Sequence, residues 1–307
     1  MKMMPGRRKR NYLARFGVFL TTVALVAGMA GCDGSGSDPY ADYIKIYDWT
    51  ELDNIRNNLV AKYVLMNDLD STTAGYEELA NPTANGGEGW QPIGTEDDLF
   101  TGTFDGQGYE IRDLCINRTD TYEDPVGLFG ILDEGGCIEN IGMVVNANFD
   151  GFWPVGGLVG ENRGTMSNCY AAGDISGRVS VGGLVGLNTG TVVDCYSSST
   201  VIGRGYVGGL IGGISVSYGT VIDSYVTGSV TGLSVVGGLV GRSDGTVSNC
   251  HATGNIAGDD FIGGLVGQCL GGDETSVSNS HSTGNVNGDK HIGGLVGQST
   301  CIVSNSY

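Results

Sequence analysis

The chain has 307 residues, of which 55 are glycine and only 6 proline, and a formal net charge of −18. Glycine is thus more than twice as frequent as its ordinary share of about 7%, yet no G-X-Y period accompanies it, which excludes a collagen triple helix. Recurrent Val, Leu and Ile within a 40% hydrophobic fraction exclude plain disorder, and the acidity excludes a nucleic-acid partner, which demands cationic contacts.

The charge is unevenly spread. Residues 1–31 hold Lys2, Arg7, Arg8, Lys9, Arg10 and Arg15 and no acidic residue. Without them, ten basic residues face 34 acidic ones, a net of −24. The bland reading of so acidic a body is solubility; a basic partner or calcium uptake is the alternative. The basic stretch GRRKR at 6–10 precedes an apolar run from Phe16 to Gly31, whose 16 residues fall short of a bilayer span. Met29, Ala30 and Gly31 stand directly before Cys32. This ending resembles the lipobox of bacterial lipoproteins, which implies cleavage before Cys32 and lipidation of its thiol. Residues 1–31 are then a lipoprotein signal peptide and 32–39, with DGSGSD, a flexible tether. Met29 departs from the commoner Leu, and Asp33 resembles an inner-membrane retention signal. The expected location is the bacterial cell envelope, with the membrane reached through the N-terminal lipid.

Residues 40–150 read as an N-terminal cap and irregular β-helix turns. Within them WTELDNIRNNLV at 49–60 predicts a short capping helix. Thr50 is its expected N-cap, and Leu52, Ile55 and Leu59 are its apolar face.

Residues 151–307 repeat. VGGLVG or a close variant starts at Val155, Val181, Val207, Val236, Ile262 and Ile292, in steps of 26, 26, 29, 26 and 30. A second motif of the form TVSNCH or TVVDCY ends at Tyr170, Tyr196, Tyr225, His251, His281 and Tyr307. From that residue to the next hexapeptide is always 11 positions; from hexapeptide to that residue is 15, except for 18 and 19 in two copies. All length variation therefore sits in one corner, at 187–191, 213–219 and 268–276, while everything else stays in register. A third apolar point recurs at Ile175, Val201, Val230, Ile256 and Val286. Short Val- and Ile-rich segments between glycines read as strands, three per turn. The expected fold is all-β: a parallel, right-handed β-helix or β-solenoid of roughly ten turns with a short N-terminal capping helix.

The hexapeptides resemble the GLUG motif, strongly over 155–307. The stretches YVLMNDLD (63–70), GWQPIG (89–94), FTGTFDGQGYEI (100–111) and VGLFG (126–130) are similar to the region that often precedes such repeats. The resemblance implies a surface or secreted scaffold, adhesins included. The same repeats also occur in N-terminal parts of streptococcal metallopeptidases that cut immunoglobulin A.

The chemistry-bearing residues read mostly as architecture. A zinc peptidase needs H-E-x-x-H, and the histidines His251, His281 and His291 do not form it. His251 and His281 replace Tyr in the repeat, which makes them ladder residues. Cys169, Cys195 and Cys250 alternate with Ser224, Ser280 and Ser306, so they occupy a small-residue slot as free thiols. Of the others, Cys115 with Cys137 is the least unlikely disulfide; Cys269 and Cys301 lie in or near the variable loop. Asp68, Asp70, Asp97, Asp98 and Asp105 are scattered upstream. Asp194 and Asp223 alternate with Asn168, Asn249, Asn279 and Asn305, as stacked side-chain hydrogen bonds require and a catalytic carboxylate pair does not. No catalytic, cofactor or metal residue is expected. The only residue with a defined chemical role is Cys32.

The leading reading is a non-enzymatic surface lipoprotein in adhesion or cell-envelope interaction, with a host or envelope protein or a glycan as partner. Two alternatives stand: the N-terminal scaffold of a larger surface enzyme such as a metallopeptidase, continuing past Tyr307 where the sixth repeat stops without a polar cap, or a polysaccharide-processing β-helix.

Overall fold

Each 26-residue step becomes one rung of a parallel β-solenoid. The structure, a computed structural model, describes residues 38–119, 124–145, 149–215 and 219–307. The signal segment, Cys32, most of the tether and residues 216–218 of one variable corner lie outside the described residues. Residues 40–307 form one compact unit.

A rung holds five short strands, not the three expected. In one repeat they are Thr191–Val193, Tyr196–Ser197, Thr200–Ile202, Gly205–Gly208 and Ile211–Ile214. The extra division arises because the hexapeptide is not one strand. Its central Gly-Leu makes a corner between two strands, and the Leu points inward: Leu158, Leu184, Leu210, Leu239 and Leu265 are fully buried. Every strand pairs in parallel with its equivalent one repeat on, as in Val181↔Val207 and Gly182↔Gly208. The longest unbranched stack runs through ten strands, from Ile44–Ile46 to Ile302–Ser304, and that of the Leu-containing corner has seven, from Phe129–Leu132 to Val296–Ser299; a 13-stranded sheet joins two further faces through the strand Tyr170–Gly177. The ten layers expected are thus reached on one face only; about seven rungs are complete.

The hexapeptide glycines serve close approach of neighbouring rungs and not a left-handed backbone. In the repeats the recurring left-handed positions fall on other residues. One column is Asn140, Asn168, Asp194, Asp223, Asn249, Asn279 and Asn305, with φ between 49° and 55°. Asn and Asp are the side chains that tolerate this region best, which explains their interchange. The expected side-chain ladder is partly formed: Asn168 Nδ2 donates to Asn140 Oδ1 at 2.8 Å, and Asn305 Nδ2 to Asn279 Oδ1 at 3.3 Å. A second left-handed column precedes the hexapeptides: Ser180, Tyr206, Val235, Phe261 and His291. A β-branched Val235 at φ 56° is an outlier, and its neighbours Ser234 and Val236 are paired on both sides. A Cβ on Gly182 would run into the Val185 carbonyl and lie 2.7 Å from Gly212 N and 2.8 Å from Leu210 O.

The Cys/Ser slot is buried and hydrogen-bonded. Cys195 Sγ donates to Val193 O at 3.2 Å and Ser224 Oγ to Ile222 O at 2.8 Å, while Cys195 N donates to Ser224 Oγ at 3.1 Å. A thiol and a hydroxyl fill the same role, so the two interchange. The disulfide expectation needs correction. Cys115 and Cys137 do not bridge; Cys269 and Cys301 do, with Cα atoms 5.7 Å apart. Cys269 pairs in register with Ser299, and Cys301 stands two residues further on. That offset turns the two thiols toward each other across adjacent rungs, where in-register cysteines would lie side by side.

The capping helix is shorter than expected: α-helix Trp49–Asp53 continues as a 3₁₀ turn, Asn54–Asn57. Its N-cap is Asp48, whose carboxylate accepts from Glu51 N, and not Thr50. Asn54, Asn57 and Asn58 are weak helix formers that favour turns, and the helix stops among them. Its apolar face is as anticipated. Leu52 and Ile55 are buried with Trp49, whose ring lies 5.7 Å from that of Trp90, and Leu59 packs against the same core.

Candidate functional site

The outward side of the variable corner carries a pocket of about 210 Å³. Its origin is one gap in a column. Glu161, Leu187, Gly213, Arg242, Gln268 and Gln298 occupy equivalent outward positions in successive rungs. Only Gly213 lacks a side chain, and a Cβ there would meet nothing closer than Leu187 Cδ1 at 3.5 Å. The resulting hollow is walled by Trp153 and Tyr206 and edged by Ser180, Ser215, Arg242 and Asp244. Tyr206 belongs to the second left-handed column, and Trp153, 37% exposed, comes from the rung at the start of the repeats.

The polar groups converge. Arg242 Nη2 donates to Asp244 Oδ2 at 2.8 Å, and Arg242 Nη1 to the Tyr206 hydroxyl at 3.4 Å. The guanidinium lies 5.6 Å from the Tyr206 ring centroid, within cation–π range. Arg242 Nε and Asp244 Oδ1 are buried without a hydrogen-bond partner. An aromatic wall beside a planar donor–acceptor pair suits a sugar ring: the C–H face packs on the aromatic, and neighbouring hydroxyls pair with guanidinium and carboxylate. The corner was legible in the sequence as a variable loop. Trp153, Tyr206, Arg242 and Asp244 were not singled out, because they come from three different rungs and no local spacing joins them.

Elsewhere the candidate residues are committed to structure. Tyr170, Tyr196, Tyr225, His251, His281 and Tyr307 form one continuous stack, with neighbouring centroids 4.8–5.2 Å apart. Burial, and then His281, pull the His251 pKa down. At the stack's start the Tyr170 hydroxyl donates to Glu110 Oε1. His291 Nδ1 lies 2.6 Å from Asp260 Oδ1, and its ring stacks 4.5 Å from Phe261. Asp70 Oδ1 accepts from Thr72, Asp68 Oδ1 from Glu110 N, and Asp105 Oδ2 from the Tyr40 hydroxyl. Burial pushes the Cys250 thiol up to about 12 and Cys169 well above its ordinary value, so neither is a thiolate nucleophile at neutral pH. Among the described residues no group of three or more His, Cys, Asp or Glu is placed to hold a metal, and no helix is long and apolar enough to cross a membrane.

Comparison with known proteins finds likeness in motif, in sequence and in fold. The GLUG motif matches at residues 155–176, 177–202 and 232–257. Over 160 residues, half of this chain, the sequence is 37% identical to Halomucin of Haloquadratum walsbyi. Over 143 residues, 45% of the chain, it is 36% identical to a protein of Evansella cellulosilytica named as a Gly-rich membrane protein. The matches span only 2% and 15% of those two proteins. Among solved structures, a Bacteroides ovatus protein named as an immunoglobulin A1 protease aligns over 88% of this chain and 86% of its own, with a TM-score of 0.64 and 23% identity. An IgA1 protease aligns over 89% of this chain and 22% of its own, with a TM-score of 0.56 and 15% identity. At these identities the structures share the fold.

Proposed function

We propose that this GLUG-motif β-solenoid is a non-enzymatic, envelope-displayed lipoprotein that works in adhesion, recognising a sugar unit of a glycan at the Trp153–Tyr206–Arg242 corner. The observation that carries the reading is the pocket itself. It lies at the corner where the repeats vary in length, and a solenoid takes up variation where its binding loops lie. Its volume suits one sugar ring, and its walls combine two aromatics with an Arg–Asp pair.

The full chain, presented to an array of neutral and acidic glycans, is expected to retain a subset sharing one terminal sugar. Gly213→Leu extends a side chain into the hollow from a Cβ that has no backbone atom within 4 Å, and Trp153→Ala removes a wall. Each is expected to weaken retention about tenfold or more, while the far-UV spectrum stays unchanged. Undiminished binding by both variants would place recognition elsewhere.

Display rests on Cys32. Lipidation there would fix the chain to the envelope, since acyl chains partition at about 0.8 kcal/mol per buried CH₂. Cys32→Ser is expected to move the protein from the membrane fraction to the soluble fraction. Unchanged fractionation would remove the anchor from the reading.

A second reading, the rod as presenting arm of a larger surface enzyme, is favoured by the likeness to an IgA1 protease, of whose length the matched fold is 22%. The coding sequence beyond the Tyr307 codon decides it: a catalytic constellation there supports the arm, a stop codon removes it.

A further inference from the structure

One exposed column of the solenoid is complementary to itself when reversed. The residues three positions before the hexapeptide starts Val181, Val207, Val236, Ile262 and Ile292 are Arg178, Arg204, Leu233, Asp259 and Asp289. They stack directly: Arg204 N donates to Arg178 O at 3.0 Å, and Leu233 N to Arg204 O, Asp259 N to Leu233 O and Asp289 N to Asp259 O, each at 3.2 Å. All five are exposed, Leu233 at 54%. Among the described residues none of the four charges has an ion-pair partner in the chain. Arg178 lies over the Phe152 ring, 5.0 Å from its centroid. A trough of about 460 Å³ runs beside the two arginines and Leu233, with Ser176 and Ile202 in its lining.

The order along the column is therefore basic, basic, apolar, acidic, acidic, at one rung per step. Rungs are about 4.8 Å apart, so the pattern is a straight ruler roughly 19 Å long. Turned end for end about Leu233, it meets itself with every charge matched. Arg204 faces Asp259 of the copy, Arg178 faces Asp289, and the reverse pairs follow from the symmetry. Leu233 meets Leu233 on the two-fold axis. A parallel arrangement sets like charges opposite one another, and a one-rung slip of the antiparallel one puts Leu233 against a charge. Only one register satisfies all five positions.

We propose that a second copy of this chain docks antiparallel on this column, through four intermolecular ion pairs around a Leu233–Leu233 contact. The contact is isologous, as a closed two-fold dimer requires. Each chain carries a net charge of −18, so copies repel except where such a local match overrides the repulsion. Antiparallel rods carry their N-terminal ends at opposite ends of the pair. With the lipid anchor proposed above, that geometry suits copies displayed on two apposed surfaces. The docking itself depends neither on the anchor nor on the sugar pocket, and the column shares no residue with that pocket.

The test uses the full chain in a non-ionic detergent and sedimentation velocity over a concentration series. Arg178→Asp with Arg204→Asp makes the column wholly acidic; Asp259→Arg with Asp289→Arg makes it wholly basic. The wild type is expected to self-associate reversibly. Each double variant alone is expected to dimerise at least about tenfold more weakly, and an equimolar mixture of the two to recover association as a heterodimer. The wild type remaining monomeric would overturn the proposal. So would double variants that self-associate as the wild type does, or a mixture that recovers nothing while both variants keep the wild-type circular dichroism.

Discussion

Replacing Gly182 by alanine is expected to destabilise the solenoid by roughly 3–5 kcal/mol, the upper range for a single substitution. The added methyl group would meet three backbone atoms, the Val185 carbonyl oxygen, Gly212 N and Leu210 O. None is the flexible end of a side chain. Two of them belong to the neighbouring rung, whose own pairing fixes its position. Relief therefore requires the rungs to part at the corner, and with them the ladder bonds that hold the hexapeptide strands. Gly205→Ala is the matched control, because a Cβ there has nothing within 4 Å. Its register partners are Val179 and Ser234, so side chains are already accommodated in that column. It is expected to change stability by less than about 0.5 kcal/mol. Urea unfolding followed by circular dichroism separates the two. Equal midpoints for Gly182→Ala and the wild type would show that close approach is not what these glycines provide.

Removing the Cys269–Cys301 disulfide is expected to loosen the two rungs that it joins. The two residues are 32 apart in sequence. Closing a loop of that size in the unfolded chain corresponds to about 3–4 kcal/mol in the chain-entropy account. A solenoid rung touches only its neighbours, so the effect should stay local. Cys301→Ser is expected to speed amide hydrogen exchange in the strands Lys290–Gly293, Val296–Ser299 and Ile302–Ser304. Strands of the central rungs, such as Thr191–Val193, should keep their protection. Reductant should reproduce the same pattern in the wild type. Uniform protection across both regions would mean that strand pairing alone holds the rung of Cys301.

The rod was legible because its constraints repeat. A step of 26 residues with all length changes in one corner is the signature of stacked rungs. Interchange of Cys with Ser, and of Asn with Asp, at fixed positions marks slots defined by size and hydrogen bonding. The capping helix was visible through Leu52 and Ile55, although Asp48 and not Thr50 closes its end. Features that depend on more than one rung were hidden. The disulfide joins residues that periodicity keeps apart, because Cys301 lies outside the Cys/Ser slot and two places beyond the partner of Cys269.

Sequence by itself determined the parallel solenoid, since each rung must bury the same apolar positions against the next and only in-register stacking does so. It also determined which corner varies. Tertiary structure alone decided that the hexapeptide bends at its Gly-Leu centre, because the inward Leu and the backbone contacts of Gly182 exist only once rungs stack. It decided the pocket, where the missing side chain of Gly213 opens a gap that Trp153 and Tyr206 wall from other rungs. And it decided the Arg178–Asp289 column, whose self-complementarity arises from residues about 26 to 30 positions apart brought into line at one strand spacing.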